Sequence, residues 1–139
     1  PITGILIVTT PQDVAMNVAV KAIGMFNKLN VPIVGVIENM SYLLCPHCNE
    51  QITLFGKGGG QKISEDFGLP FISEIPLYPG IRESSDVGKP SIISDPNSLE
   101  SQAFTKAAKL IAGRISILAS EIKAQEQSEN QATEQSKKE

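Results

Sequence analysis

Apolar and polar positions along the chain follow two periods, and their alternation predicts the architecture. Ile5-Leu6-Ile7-Val8 and Ile33-Val34-Gly35-Val36-Ile37 are nearly unbroken apolar runs, the pattern of strands buried on both faces of a parallel sheet. Between them Ala15, Val18, Ala22, Met25 and Leu29 recur at helical spacing, while Asp13, Asn17, Lys21 and Lys28 share another face. Thr10-Pro11-Gln12-Asp13 predicts the helix start, with Thr10 as the cap, Pro11 in the first helical position and Asp13 at the positive end of the dipole. Asn30 and Pro32 close the helix, which makes residues 5–37 a β-α-β unit with parallel strands and a right-handed crossover.

Beyond this unit the pattern shortens. Leu43-Leu44 and the run Gln51 to Phe55 predict two short strands pairing across Cys45-Pro46-His47-Cys48-Asn49-Glu50, a small hairpin with cysteines at its tip. Gly56-Lys57-Gly58-Gly59-Gly60 predicts a mobile linker, Gln61 to Phe67 a short helix stopped by Gly68 and Pro70, and Phe71 to Ile75 a third strand. The turn-rich Pro76-Leu77-Tyr78-Pro79-Gly80 then leads into a helical Ile81 to Val87, ended by Gly88 and Pro90. Ser98 is placed to cap a last helix whose Ala103, Phe104, Ala107, Leu110, Ile111, Ile115 and Leu118 keep helical spacing. From Lys123 to Glu139 no aliphatic side chain exceeds Ala, and Gln, Glu, Ser and Lys dominate, the composition of a disordered tail. The expected organisation is one α/β domain over residues 1–122 with a cysteine loop at 41–60, followed by a disordered tail over 123–139.

Composition narrows the function classes. With 139 residues, 41% hydrophobic and 19% charged, the chain has material for a single core. A net charge of -3 without any Lys/Arg cluster argues against a nucleic-acid partner. No apolar run approaches the ~20 residues of a membrane helix, and the N-terminus lacks the layout of a signal peptide, so a cytoplasmic protein without a membrane partner is expected. The chain begins at Pro1 rather than methionine, directly before a strand, and reads as a cut or excised segment.

Candidate chemistry gathers after the second long strand, whose carboxyl end delivers Glu38 and Asn39 where ligands of open α/β sheets bind. Cys45 and Cys48, separated by two residues, can direct both sulfurs to one soft metal, iron in a cluster or zinc. Two thiolates are half of a tetrahedral or cubane set, and His47 between them can hardly join the same ion, so a second copy of the chain is expected to complete a four-thiolate site on a two-fold axis. A reduced pair without function is the bland alternative. Thiol-disulfide exchange is the other, since Cys-Pro-His-Cys resembles an oxidoreductase tetrapeptide, although a β-like run rather than a helix follows it. Gly56 to Gly60 is no Walker A loop, because no Ser or Thr follows Lys57. Read singly, Asn39 is a turn residue, Glu38 a solvated carboxylate and Pro76 a chain exit.

In combination, Val8-Thr9-Thr10-Pro11-Gln12, Val36-Ile37-Glu38-Asn39-Met40-Ser41, Cys45-Pro46-x-Cys48, Phe55-Gly56-x-Gly58-Gly59, Ile75-Pro76-Leu77 and Asp86-x-Gly88-x-Pro90 resemble, in order, the Mrp (ApbC) family of iron-sulfur cluster carrier ATPases. The resemblance implies the C-terminal part of a doubly wound, mostly parallel P-loop NTPase sheet of the MinD-like type. It further implies a cytoplasmic homodimeric ATPase that assembles a labile 4Fe-4S cluster on Cys45 and Cys48 and hands it to apo iron-sulfur proteins. Asn39 matches the strand-end asparagine that reads adenine in MinD-like proteins, and Pro76 matches the segment lying along the base. The family's Walker A lysines, switch aspartate and magnesium site should precede the Val8-Thr9-Thr10 strand and are absent here, so this chain alone is expected not to hydrolyse ATP. Val18 stands where the family often carries an acidic residue.

Overall fold

The computed structural model describes residues 2–45, 47–48 and 50–136. In chain order the elements are β1 (Ile5–Thr9), α1 (Asp13–Lys28), β2 (Ile33–Asn39), β3 (Leu43–Leu44), β4 (Gln51–Ile52), α2 (Gly59–Phe67), β5 (Phe71–Ile75), α3 (Pro79–Asp86), α4 (Ser91–Ser94) and α5 (Leu99–Ser136). The long apolar runs pair as expected, in the order β1-β2-β5 with both pairings parallel, and β3 and β4 form a separate antiparallel hairpin.

Helices cover both faces of the sheet, which is why its central strand has no polar face to offer before Glu38. On one face Ala19 and Ile23 of α1 and Ile63 of α2 close over Ile7, Ile33 and Val36. Ala107 of α5, flanked by Ala103 and Ile111, closes over Ile37 and Ile75 on the other. Ile23, Val36 and Ile63 are essentially inaccessible to water, and each such side chain contributes about 1.5–3 kcal/mol of burial. Gly35, an interruption in the apolar run, marks a close approach. A Cβ there would lie 2.6 Å from the Ile72 side chain and 2.7 Å from the Pro70 carbonyl oxygen.

The structure corrects the sequence reading at α1. Helical hydrogen bonding begins with the Met16 N–H donating to the Gln12 carbonyl, so Gln12 rather than Thr10 occupies the cap, and the Thr10 hydroxyl bonds the Gln12 side chain. The buried stripe is Met16, Ala19 and Ile23, because α2 packs beside α1 and draws that side inward. Val18, Met25 and Leu29 of the expected apolar stripe are exposed, Val18 to 64%. With Ala15, Ala22 and Phe26, Val18 lines an open apolar groove of about 550 Å³ along β1, whose far edge has no strand partner among the described residues.

Elsewhere the boundaries shift locally. The second hairpin strand ends at Ile52 instead of Phe55, α3 starts at Pro79, and α4 was not foreseen. Ser98 does cap α5, its hydroxyl accepting the Ser101 N–H at 3.4 Å. That helix continues to Ser136 and so takes in most of the stretch whose composition predicts disorder, since no Gly or Pro follows Gly113 and Ala, Glu, Gln and Lys favour the helical state. The tail positions 137–139 and the hairpin positions Pro46 and Asn49 lie outside the described residues. No described helix is long and apolar enough to cross a membrane.

Candidate functional site

The candidate chemistry of this chain leaves the sheet at the carboxyl ends of β2 and β5. Pleating sends the last two residues of β2 to opposite faces. Glu38 turns toward α2 and is fully buried. A buried carboxylate is tolerated only when its oxygens are hydrogen-bonded, and here three donors converge on it. The Ser41 hydroxyl donates to Oε1 at 2.5 Å, the Gly58 N–H to Oε1 at 3.3 Å and the Gly60 N–H to Oε2 at 2.6 Å. The reading of Glu38 as solvated is therefore corrected, and so is that of Gly56 to Gly60 as a mobile linker. Gly59 and Gly60 open α2, whose unpaired N–H groups need an acceptor. Gly60 has no room for a side chain, since a Cβ there would fall 2.9 Å from the Glu38 Cβ, and Gly59 is tightly packed, a Cβ there falling 3.0 Å from the Pro11 Cα. Three glycines opening a helical pattern, opposite a carboxylate at a strand end, are the signal that sequence reasoning passed over.

Asn39 faces the other way. Its Oδ1 accepts the Met40 N–H at 3.0 Å, which supports Met40 in the left-handed region at φ 54°. The turn role read for a lone Asn39 is thus real, but it leaves the Asn39 amide NH₂ unused by that contact. Asn39 and Pro76, far apart in sequence, line one pocket of about 220 Å³ together with Leu77, Tyr78, Ile81 and Arg82. Sequence reasoning missed Tyr78, Ile81 and Arg82. The pocket is smaller than the roughly 300–1,000 Å³ that hold drug-sized ligands, a size for one planar ring system rather than a whole nucleotide.

The cysteines sit where the hairpin was expected to put them. Leu43 pairs with Ile52 and Leu44 with Gln51, and the Cys45 N–H donates to the Glu50 carbonyl at 2.9 Å, closing the turn. Both thiols are free, Cys45 half-buried and Cys48 exposed. The backbone N–H of His47, then the backbone and thiol of Cys48, hydrogen-bond the Cys45 sulfur and hold its pKa below the ordinary thiol value, with burial opposing. The thiolate is the form that binds metal, so the pair fits a thiolate-ligated cargo. Among the described residues no group of three or more His, Cys, Asp or Glu side chains surrounds a metal position. After Cys48 the chain enters β4 rather than a helix, which removes the helix dipole that activates the first cysteine of an oxidoreductase motif.

Because the Cys45 pKa is lowered, its thiolate persists to lower pH than that of an unperturbed thiol. In metal-free protein, the rate of Cys45 alkylation by iodoacetamide should rise with a midpoint below that of an unperturbed thiol. Peptide mass spectrometry across a pH series measures it; a midpoint at or above the ordinary value would remove the electrostatic bias toward Cys45.

Residues 1–112 match the ParA family, described as NUBPL iron-transfer P-loop NTPase. The iron-sulfur cluster carrier protein of Deinococcus radiodurans is 45% identical over 116 residues, covering 84% of this chain and 33% of that protein. A nucleotide-binding protein from Archaeoglobus fulgidus, solved in complex with ADP, superposes with a TM-score of 0.55 at 34% identity, covering 71% of this chain and 43% of that one. The cell division ATPase MinD of Pyrococcus furiosus gives a TM-score of 0.60 at 25% identity, over 78% of this chain and 41% of that one. The chain spans about a third of the length of the curated relatives it matches. With its model matched over residues 1–112, the chain belongs to the ParA-type family of NUBPL iron-transfer P-loop NTPases.

Proposed function

We propose that this chain is the part of an iron-sulfur cluster carrier ATPase that presents the cluster thiolates and holds the adenine side of the nucleotide. The observation that carries this reading is convergence at one end of the sheet. There the Asn39–Pro76 pocket and the hairpin bearing Cys45 and Cys48 both leave the carboxyl ends of β2 and β5. The cargo is a 4Fe-4S cluster shared by the thiolates of two copies of the chain in a homodimer, with zinc as a substitute in isolated protein and apo iron-sulfur proteins as recipients. Reduced, paired thiolates of this kind belong in the cytoplasm. Neither nucleic acid nor a membrane is a partner. The remainder of the protein covers the apolar groove along β1 and supplies the phosphate and magnesium half of the ATP site, for which this sequence has no Gly-x4-Gly-Lys-Ser/Thr loop.

At the base, the Asn39 NH₂ donates to a ring nitrogen of adenine while Oδ1, already accepting the Met40 N–H, uses its second lone pair for the exocyclic amine. Asn39→Asp in the intact protein tests this without removing the turn contact, because Oδ1 remains. An acceptor then faces an acceptor, and loss of a buried hydrogen bond costs about 1–3 kcal/mol, so ATP should bind about tenfold or more weakly and the preference over GTP should narrow. Calorimetric titration with both nucleotides measures it. Unchanged affinities would reduce Asn39 to its turn role.

A further inference from the structure

The cysteine hairpin has almost nothing of its own to hold it. Its ladder is two residue pairs long, Ile52, Leu54 and Phe55 are exposed, and a two-stranded hairpin is marginal in water. Its order must come from its base, and the base is tied at both ends. At the entrance the Ser41 N–H donates to the Ile75 carbonyl at 3.1 Å and the Leu77 N–H to the Tyr42 carbonyl at 2.7 Å. At the exit the Gly58 carbonyl accepts the Lys62 N–H of α2 at 2.9 Å, while the N–H groups of Gly58 and Gly60 go to Glu38, and the same carboxylate also takes the Ser41 hydroxyl of the entrance. A carboxylate that served only to cap α2 would need the glycine N–H groups alone, whereas this one also holds the hydroxyl of Ser41 at the hairpin entrance.

We propose that Glu38 is the positioning residue of the cysteine hairpin. By gathering Ser41, Gly58 and Gly60 on one buried carboxylate, it closes residues 41–58 at the root and presents Cys45 and Cys48 as a preformed pair. A pair held in place binds metal without first losing the conformational freedom of a loose loop. This role rests on the reading of the hairpin as the cargo-bearing segment, and it accounts for the close approach of Gly60, where a Cβ would lie 2.9 Å from the Glu38 Cβ.

The test uses the intact protein under anaerobic conditions with Co²⁺ as the probe, read by the thiolate-to-cobalt charge-transfer band. Glu38→Gln replaces an acceptor by an NH₂ group, so one of the two glycine N–H groups loses its partner. Cobalt affinity should fall about tenfold, while the band at saturation keeps its intensity because both thiolates remain. Gly60→Ala, which pushes α2 off the carboxylate, should do the same. A role confined to overall stability would lower the melting temperature and leave the cobalt affinity unchanged, and that result overturns the proposal. If Glu38→Gln does not fold, Ser41→Ala decides, with about a threefold loss expected and no loss counting against the proposal. If the unmodified protein shows no cobalt band, the cluster-carrier reading fails by itself. Amide exchange then judges Glu38, since faster exchange over residues 43–52 in Glu38→Gln supports the positioning role and unchanged exchange refutes it.

Discussion

Replacing either Cys45 or Cys48 with serine will abolish stable cluster binding, and the unmodified protein will hold one 4Fe-4S cluster per two chains. The reason is a ligand count. The sequence contains two cysteines, a cubane cluster takes four thiolates, and no third His, Cys, Asp or Glu joins them in one chain among the described residues. Each substitution therefore leaves two thiolates at a shared site that needs twice as many. The exposed position of Cys48 and the half-buried one of Cys45 let two hairpins meet without unfolding either, and a cluster so held is accessible for transfer. Anaerobic reconstitution followed by iron and sulfide analysis and native mass measurement checks the prediction. Four irons on a single chain, or a cluster retained by Cys45→Ser, would show that the cluster is not bridged.

The 139-residue chain by itself will not hydrolyse ATP above background and will bind it weakly. In P-loop proteins the anionic phosphates dominate nucleotide binding through backbone N–H groups and a lysine. The one glycine-rich stretch here, Gly56 to Gly60, has already committed the N–H groups of Gly58 and Gly60 to Glu38, and a second anion beside that buried carboxylate would be repelled. The pocket at Asn39 and Pro76, about 220 Å³, lies below the range of drug-sized ligand sites. Phosphate release measured with magnesium and ATP should stay at the level of a blank, and turnover that survives repurification would contradict the assignment of the phosphate site to other residues.

Local pattern by itself determined the three strands of the sheet, the helices α1 and α2 between them and the position of the cysteines, but not α4. Ile5 to Val8 and Ile33 to Ile37 are uniformly apolar, as strands inside a covered sheet are, Phe71 to Ile75 is set off between Pro70 and Pro76, and Leu43-Leu44 lies close enough to the run Gln51 to Phe55 to pair with it. Such features depend on neighbours within a few residues, so periodicity and turn chemistry suffice to read them. Three things were decided only in three dimensions. Which side of α1 is buried depended on where α2 lies, because Ala19 and Ile23 had to close against Ile63 and left Val18 outside. Asn39 and Pro76 lie at the ends of two strands separated in sequence by the whole hairpin and α2, and only the parallel register of β2 with β5 puts them in one pocket. Glu38 looked solvated because a carboxylate is costly to bury, and the donors that offset the cost come from Gly58 and Gly60, about twenty positions away and brought within reach only when α2 packs against the strand.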